Sequence, residues 1–173
     1  MTPTIEIGDT IADGTFTYVP YTPELDSHAA CGVPTKLSIR KEWKGKKVVL
    51  FGVPGAFTPT CHVNHLPPYI SKHDELKAKG VDVIAVVGAN DPFVMSGWGR
   101  FEGLKDKILT LSDPNVEWAK QVGLIADLSA RGLGVRIARF ALILDDLVVK
   151  YLGVEPAPGA VTVSGADVVL SKL

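Results

Sequence analysis

Two nearly continuous apolar runs constrain the fold more than anything else in this chain: Lys47-Val48-Val49-Leu50-Phe51-Gly52-Val53 and Val81-Asp82-Val83-Ile84-Ala85-Val86-Val87. Short runs rich in β-branched residues read as strands buried on both faces, which need helices above and below the sheet. The rest of the chain supplies them. Strand-like pieces at Phe16–Val19 and near Leu37–Ile39 come first. A helix is expected from Thr58 towards Lys79-Gly80, kinked at Pro67-Pro68, where the proline rings oppose a continuous helix. Another is expected around Pro92 to Gly99, then a short strand at Ile108–Leu111. Asp113-Pro114 announces a helix over Val116–Val122, stopped by Gly123. Phe140–Leu144 and Val148–Leu152 read as a hairpin, and Ser164-Gly165-Ala166-Asp167 as a capping-box start for a last helix. The order predicts an α/β sandwich around a central mixed sheet, in one domain spanning residues 1–173.

Composition narrows the functional classes. The 173 residues are 46% apolar and 21% charged, with a formal net charge of −1, which is globular composition. Basic residues form no stripe, so nucleic acid is not an expected partner. No apolar run is long enough to span a bilayer, and the first nine residues lack the apolar core of a secretory signal. Ser171-Lys172-Leu173 matches a peroxisomal address read by an import receptor. The two cysteines, Cys31 and Cys61, form no C-x-x-C pair and cannot staple a scaffold this size, so reactivity is the more informative reading of them.

Cys61 stands in the informative segment, Val53-Pro54-Gly55-Ala56-Phe57-Thr58-Pro59-Thr60-Cys61. A buried strand ends, a Gly/Pro loop turns, and the cysteine lands in the first helical turn. Thr58 reads as N-cap and Pro59 as the first helical residue, where a missing N–H costs nothing. Unpaired N–H groups and the positive end of the helix dipole favour a thiolate at such a position. The Thr58 hydroxyl is expected within reach of the sulfur or of a bound oxygen. His65 would share a helix face with Cys61, whereas His62 points elsewhere. A zinc site needs a fourth ligand that the spacing does not offer, so no metal is expected.

The pattern Pro54-x-x-x-Thr58-x-x-Cys61 resembles the active-site signature of the peroxiredoxins. The longer string from Gly52 to Cys61 resembles their type II, or peroxiredoxin-5, branch, including its fungal members. The likeness continues through Asn90–Met95, Trp98, Gly132-Leu133-Gly134 and Arg139-Phe140-Ala141-Leu142. It implies a thioredoxin-like fold with an N-terminal strand extension and a cofactor-free peroxidase. Carried over by position, Cys61 is the peroxidatic cysteine, Thr58 its hydroxyl partner, Pro54 the shield against water and Arg139 the guanidinium. Developing charge on the departing oxygen calls for fixed donors, for which Arg139, Thr58 and the N–H groups of Gly55 or Cys61 are candidates. Arg136 is expected only in support, and Phe57 with Pro54 at the pocket mouth. The resemblance also implies that Cys31 resolves the Cys61 sulfenic acid, by analogy with fungal relatives from the partner subunit of a homodimer. Thioredoxin, or glutaredoxin with glutathione, would then restore the thiol. A one-cysteine enzyme and a non-enzymatic redox sensor or holdase are the alternatives. Peroxisome and cytoplasm are the expected locations.

Overall fold

A computed structural model describes residues 3–173. The apolar runs form β3 (Lys47–Gly52) and β4 (Val83–Gly88), paired in parallel, and β5 (Leu109–Ser112) joins β4, also in parallel. Among the described residues these belong to a seven-stranded mixed sheet. On one side β3 pairs antiparallel with β8 (Phe140–Asp145), which turns back into β9 (Val148–Val154). The hairpin turns on Asp146 and Leu147, both left-handed (φ 46° and 69°), the geometry that matches strand twist in a two-residue loop. On the far edge lie β1 (Thr15–Tyr18) and β2 (Thr35–Ser38), with β1 antiparallel to β5. This is the expected N-terminal strand extension, and the architecture is thioredoxin-like with helices on both faces.

Each sheet face carries its own apolar cluster. One gathers Phe16, Trp43, Leu50, Trp118 and Phe140; the other gathers Phe51, Cys61, Tyr69, Trp98 and Val169. Trp43, Trp98 and Trp118 are therefore core residues, while Phe93 and Phe101 remain 55% and 71% exposed. Leu170 and Leu173 are partly buried against the second cluster, so the last residue is packed on the fold.

Several local expectations are corrected. The segment after Pro59 is a π turn over Thr60–His65 rather than an α-helix. The wider turn places Pro67 and Pro68 at the start of α2 (Leu66–Ser71), where no N–H is needed and the rings escape the carbonyls four residues back. The chain consequently breaks at Lys72, before α3 (His73–Ala78), and not at the prolines. Helix α4 (Pro92–Phe101) starts as expected, with Asp91 accepting from the N–H groups of Phe93 and Val94. The Asp113 helix is α5 (Glu117–Gln121), one residue shorter at each end: Val116 is left-handed, and Val122 has already left helical backbone at φ −95°, ψ 3°. The sequence reading omitted α1 (Ile39–Trp43) and the small antiparallel pair β6 (Ile125–Asp127) and β7 (Val135–Ile137). Helix α6 (Ala166–Lys172) forms without a side-chain cap, because the Ser164 hydroxyl is engaged elsewhere.

Candidate active site

Strand register explains how residues 78 apart in sequence meet. β3 ends at Gly52, which pairs with Phe140 at the start of β8. The loop leaving β3 carries Cys61, and Arg139 immediately precedes Phe140, so both arrive at the same end of the sheet. Arg139 Nη2 lies 3.3 Å from Cys61 Sγ. The sulfur is fully buried and the arginine is 3% exposed. A guanidinium held this close in a dry pocket donates to the sulfur directly.

Arg139 is itself held on three sides. Nη1 donates to His65 Nδ1 at 3.0 Å, while Nε and Nη2 donate to the Pro158 carbonyl at 3.1 and 2.7 Å. Because Nδ1 accepts, the His65 proton sits on Nε2, which donates to the Ser164 carbonyl at 2.9 Å. Tyr69 OH donates to the same oxygen at 2.6 Å. Burial, together with the positive charge of Arg139, lowers the His65 pKa to about 4. The histidine is thus a neutral acceptor for the arginine, with both ring nitrogens committed and neither available to a metal. Its spacing from Cys61 signalled proximity; its partner could not be read from sequence.

The loop before Cys61 is braced from outside. Asn90 Oδ1 accepts from Ala56 N–H at 2.9 Å, and Arg136 donates to the Pro54 and Leu133 carbonyls at 3.2 and 2.7 Å. Arg136 thus supports the loop rather than the sulfur. Asn90 was not expected among the site residues. Thr58 does not cap the helix; its hydroxyl donates to the Gly55 carbonyl at 2.8 Å. With its proton spent there, its lone pairs can accept a hydrogen bond from an incoming O–H. A side chain at Gly55 would press within 2.9 Å of Thr58 Cγ2 and 3.2 Å of Arg136 Nη1, so any larger residue must displace one of them. Phe57, left-handed at φ 59° and 49% exposed, stands at the rim against His62 and Phe101.

His62, next to the cysteine, faces α4. Its Nδ1 lies 2.6 Å from Glu102 Oε1 and 3.0 Å from Trp98 Nε1. Cys31 is exposed, in a loop whose backbone is held by Arg100 of α4, with Nη1 on the Ala30 carbonyl at 3.0 Å and Nη2 on that of Ser27 at 2.6 Å. Both cysteines are free thiols in this structure.

Fold and site together define a thioredoxin-like protein built around one protected thiol. Comparison with known proteins is more specific. The redoxin family model matches residues 7–170. A putative peroxiredoxin of Malassezia furfur is 53% identical over 97% of this chain and all of that protein. A putative peroxisomal peroxiredoxin of Lipomyces kononenkoae is 45% identical over 93% of this chain and 96% of its own length. The crystal structure of reduced Prx3 from Vibrio vulnificus in complex with hydrogen peroxide superposes with a TM-score of 0.85, at 42% identity, covering 97% of this chain and 98% of that one. The chain therefore belongs to the redoxin family as a peroxiredoxin of the type II, or peroxiredoxin-5, branch, a thiol-dependent peroxidase.

Proposed function

We propose that Cys61 is the peroxidatic thiol and that hydrogen peroxide and alkyl hydroperoxides are its substrates. The observation that carries this reading is the 3.3 Å contact between Arg139 Nη2 and a fully buried Cys61 Sγ. The Cys61 thiolate attacks the terminal peroxide oxygen: the S–O bond forms, the O–O bond breaks, and sulfur is oxidised by two electrons to the sulfenic acid. Water or the alcohol leaves once the departing oxygen has taken up a proton. Arg139 offers five N–H donors, and the contacts above use four, so one remains for an oxygen of the bound peroxide. Thr58 Oγ1 accepts from the peroxide O–H, while Pro54, Gly55 and Phe57 shape the entrance. A cavity of about 630 Å³ beside Arg139 has an apolar wall of Pro54, Ile125, Leu128, Val154 and Pro158, which gives an alkyl tail room, and a polar side at Asp127 and Glu155.

The sulfenic acid then condenses with the Cys31 thiol, releasing water and leaving a disulfide, and a thioredoxin-type dithiol exchanges with it to restore both thiols. The Cys31 in question belongs to the partner of a homodimer. Support for association comes from the rim of Phe57, Val63, Phe93 and Phe101, each about half exposed or more. Because Cys61 is buried, its turn must open for any disulfide to form. We also place the chain, acting as a single domain, in the peroxisome with a cytoplasmic pool. The name of the Lipomyces relative supports this; because Leu173 packs against the fold, imaging of an N-terminally tagged chain with and without Leu173 decides whether the tail takes part.

One experiment tests the chemistry. One equivalent of peroxide is added to the wild type, Cys31→Ser and Cys61→Ser, followed by non-reducing gels and peptide mass mapping. The wild type should give a linked dimer, Cys31→Ser a stable Cys61 sulfenic acid, and Cys61→Ser no turnover. Near-normal turnover by Cys61→Ser would overturn the reading. Turnover by Cys31→Ser with glutathione would make this a one-cysteine enzyme, and a single oxidation per chain despite added reductants would make it a sensor.

A further inference from the structure

Between β9 and α6 the chain runs through residues 155–165 without regular structure. A segment with no ladder must hold its backbone polar groups by other means, and here one side chain does much of it. Glu155, 8% exposed, accepts at Oε1 from the N–H groups of Thr162, Val163 and Ser164 at 2.7, 2.7 and 2.8 Å, and from Ser164 Oγ at 2.8 Å. Oε2 accepts from Thr162 Oγ1 at 2.8 Å. Five donors converge on one carboxylate, an arrangement that keeps it ionised and the loop fixed.

The opposite polarity of the same loop faces the thiol. The Ser164 carbonyl takes His65 Nε2 and Tyr69 OH, and the Pro158 carbonyl takes Arg139 through Nε and Nη2. The loop backbone is also pinned to Arg139 where it begins, since Glu155 N–H donates to the Arg139 carbonyl at 2.9 Å. Of the four side-chain hydrogen bonds that orient the guanidinium, two end on the loop and a third on His65, which the loop orients in turn. The sulfur itself supplies only the fourth.

We propose that Glu155 is the positioning residue for the peroxidase site: through the 155–165 loop its carboxylate holds Arg139 and His65 where the guanidinium faces Cys61. It touches neither the sulfur nor the reacting oxygens, although it also lines the cavity beside Arg139, so hydrogen peroxide, which has no tail to fill that cavity, is the substrate of the test. The inference rests on the reading of Cys61 as the peroxidatic thiol and adds a residue remote from the signature.

The test measures the second-order rate of Cys61 oxidation by hydrogen peroxide in single turnover, with the pH profile of Cys61 alkylation by iodoacetamide alongside. Glu155→Ala should lower the oxidation rate by about 10²-fold, as for a catalytic group displaced by an ångström, and move the alkylation profile to higher pH. Glu155→Gln keeps the Oε1 acceptor and can donate from its amide to Thr162 Oγ1, so it should stay within about fivefold of wild type. Tyr151→Phe is the control. It removes a bond to the Val163 carbonyl of the same loop without touching the partners of Arg139, so it should lose stability but keep the rate.

Folded Glu155→Ala reacting at the wild-type rate would overturn the proposal, and so would Tyr151→Phe slowing equally. If Glu155→Ala does not fold, Thr162→Val, which removes the Oε2 bond alone, must slow oxidation a few-fold; an unchanged rate would overturn the proposal as well. Peptide mapping separates the two levels of inference. A wild type that is not oxidised at Cys61 defeats the peroxidase reading, whereas normal oxidation in the variants defeats only the role of Glu155.

Discussion

The two cysteines hang from the same turn of one helix and live in opposite surroundings. Cys61 is fully buried, with a guanidinium on its sulfur, and its neighbour His62 meets Trp98 and Glu102 at the end of α4. Cys31 is exposed, and its loop reaches that turn through Arg100, which grips the carbonyls of Ser27 and Ala30. The contrast separates two demands on a thiol. Attack on peroxide needs a dry, charged and rigid pocket, because fixed donors do most where water is excluded. Exchange with a second thiol needs access and movement, which an exposed loop held by backbone contacts supplies at low free-energy cost.

The largest effect that sharpens this contrast belongs to the Cys61 side. Arg139→Lys keeps the charge but loses the fork that reaches Pro158, His65 and Cys61 at once. The rate of Cys61 oxidation should fall about 10²-fold, as when an oxyanion donor is removed. Stopped-flow kinetics with hydrogen peroxide measure it. Alkylation of Cys31 by iodoacetamide should not change; a parallel loss there would mean that the two regions are not independent.

A smaller effect follows from His65. Its pKa is about 4 in the fold against an ordinary 6.5, so the unfolded chain binds more protons between those values. Stability contributed by the neutral ring is therefore complete above about pH 6.5 and lost as pH falls towards 4. The shift corresponds to roughly 3 kcal/mol. Urea unfolding at pH 7 and pH 4.5 should show the drop, and His65→Asn, which cannot titrate, should flatten it. An equally steep fall in His65→Asn would assign the acid sensitivity to another group.

What the sequence disclosed divides along similar lines. β3, β4, the β8–β9 hairpin and the strand–loop–cysteine segment were legible because local hydrophobic runs and turn residues define them. Arg139 was placed only by resemblance, since its approach to Cys61 depends on the β3–β8 register across a long loop. The π turn was not legible. Pro67-Pro68 signals a disturbed helix, but not which of a kink or a wider turn relieves it. Glu155 and Asn90 were missed because each acts on backbone groups of an irregular segment, for which no periodicity exists. The same limit explains Ser164: its spacing to Asp167 suits a capping box, yet a buried carboxylate nearby competes for the hydroxyl and wins.

The smallest effect tests whether the shared helix couples the two thiols. Arg100→Ala removes two hydrogen bonds that tie the Cys31 loop to α4 while leaving Trp98, Glu102 and His62 untouched. Bonds of this kind at a partly exposed site are worth about 1 kcal/mol together, which is roughly a fivefold change in an opening equilibrium. Amide exchange and limited proteolysis across residues 27–33 should therefore rise about fivefold. The rate of Cys61 oxidation should stay at the wild-type value, because none of the groups holding its sulfur contacts Arg100. Slower oxidation in Arg100→Ala would show that α4 transmits strain from one thiol to the other. An unchanged rate with a loosened loop would mean that α4 anchors two independent segments, so the Cys31 loop can be altered without cost to the oxidation of Cys61.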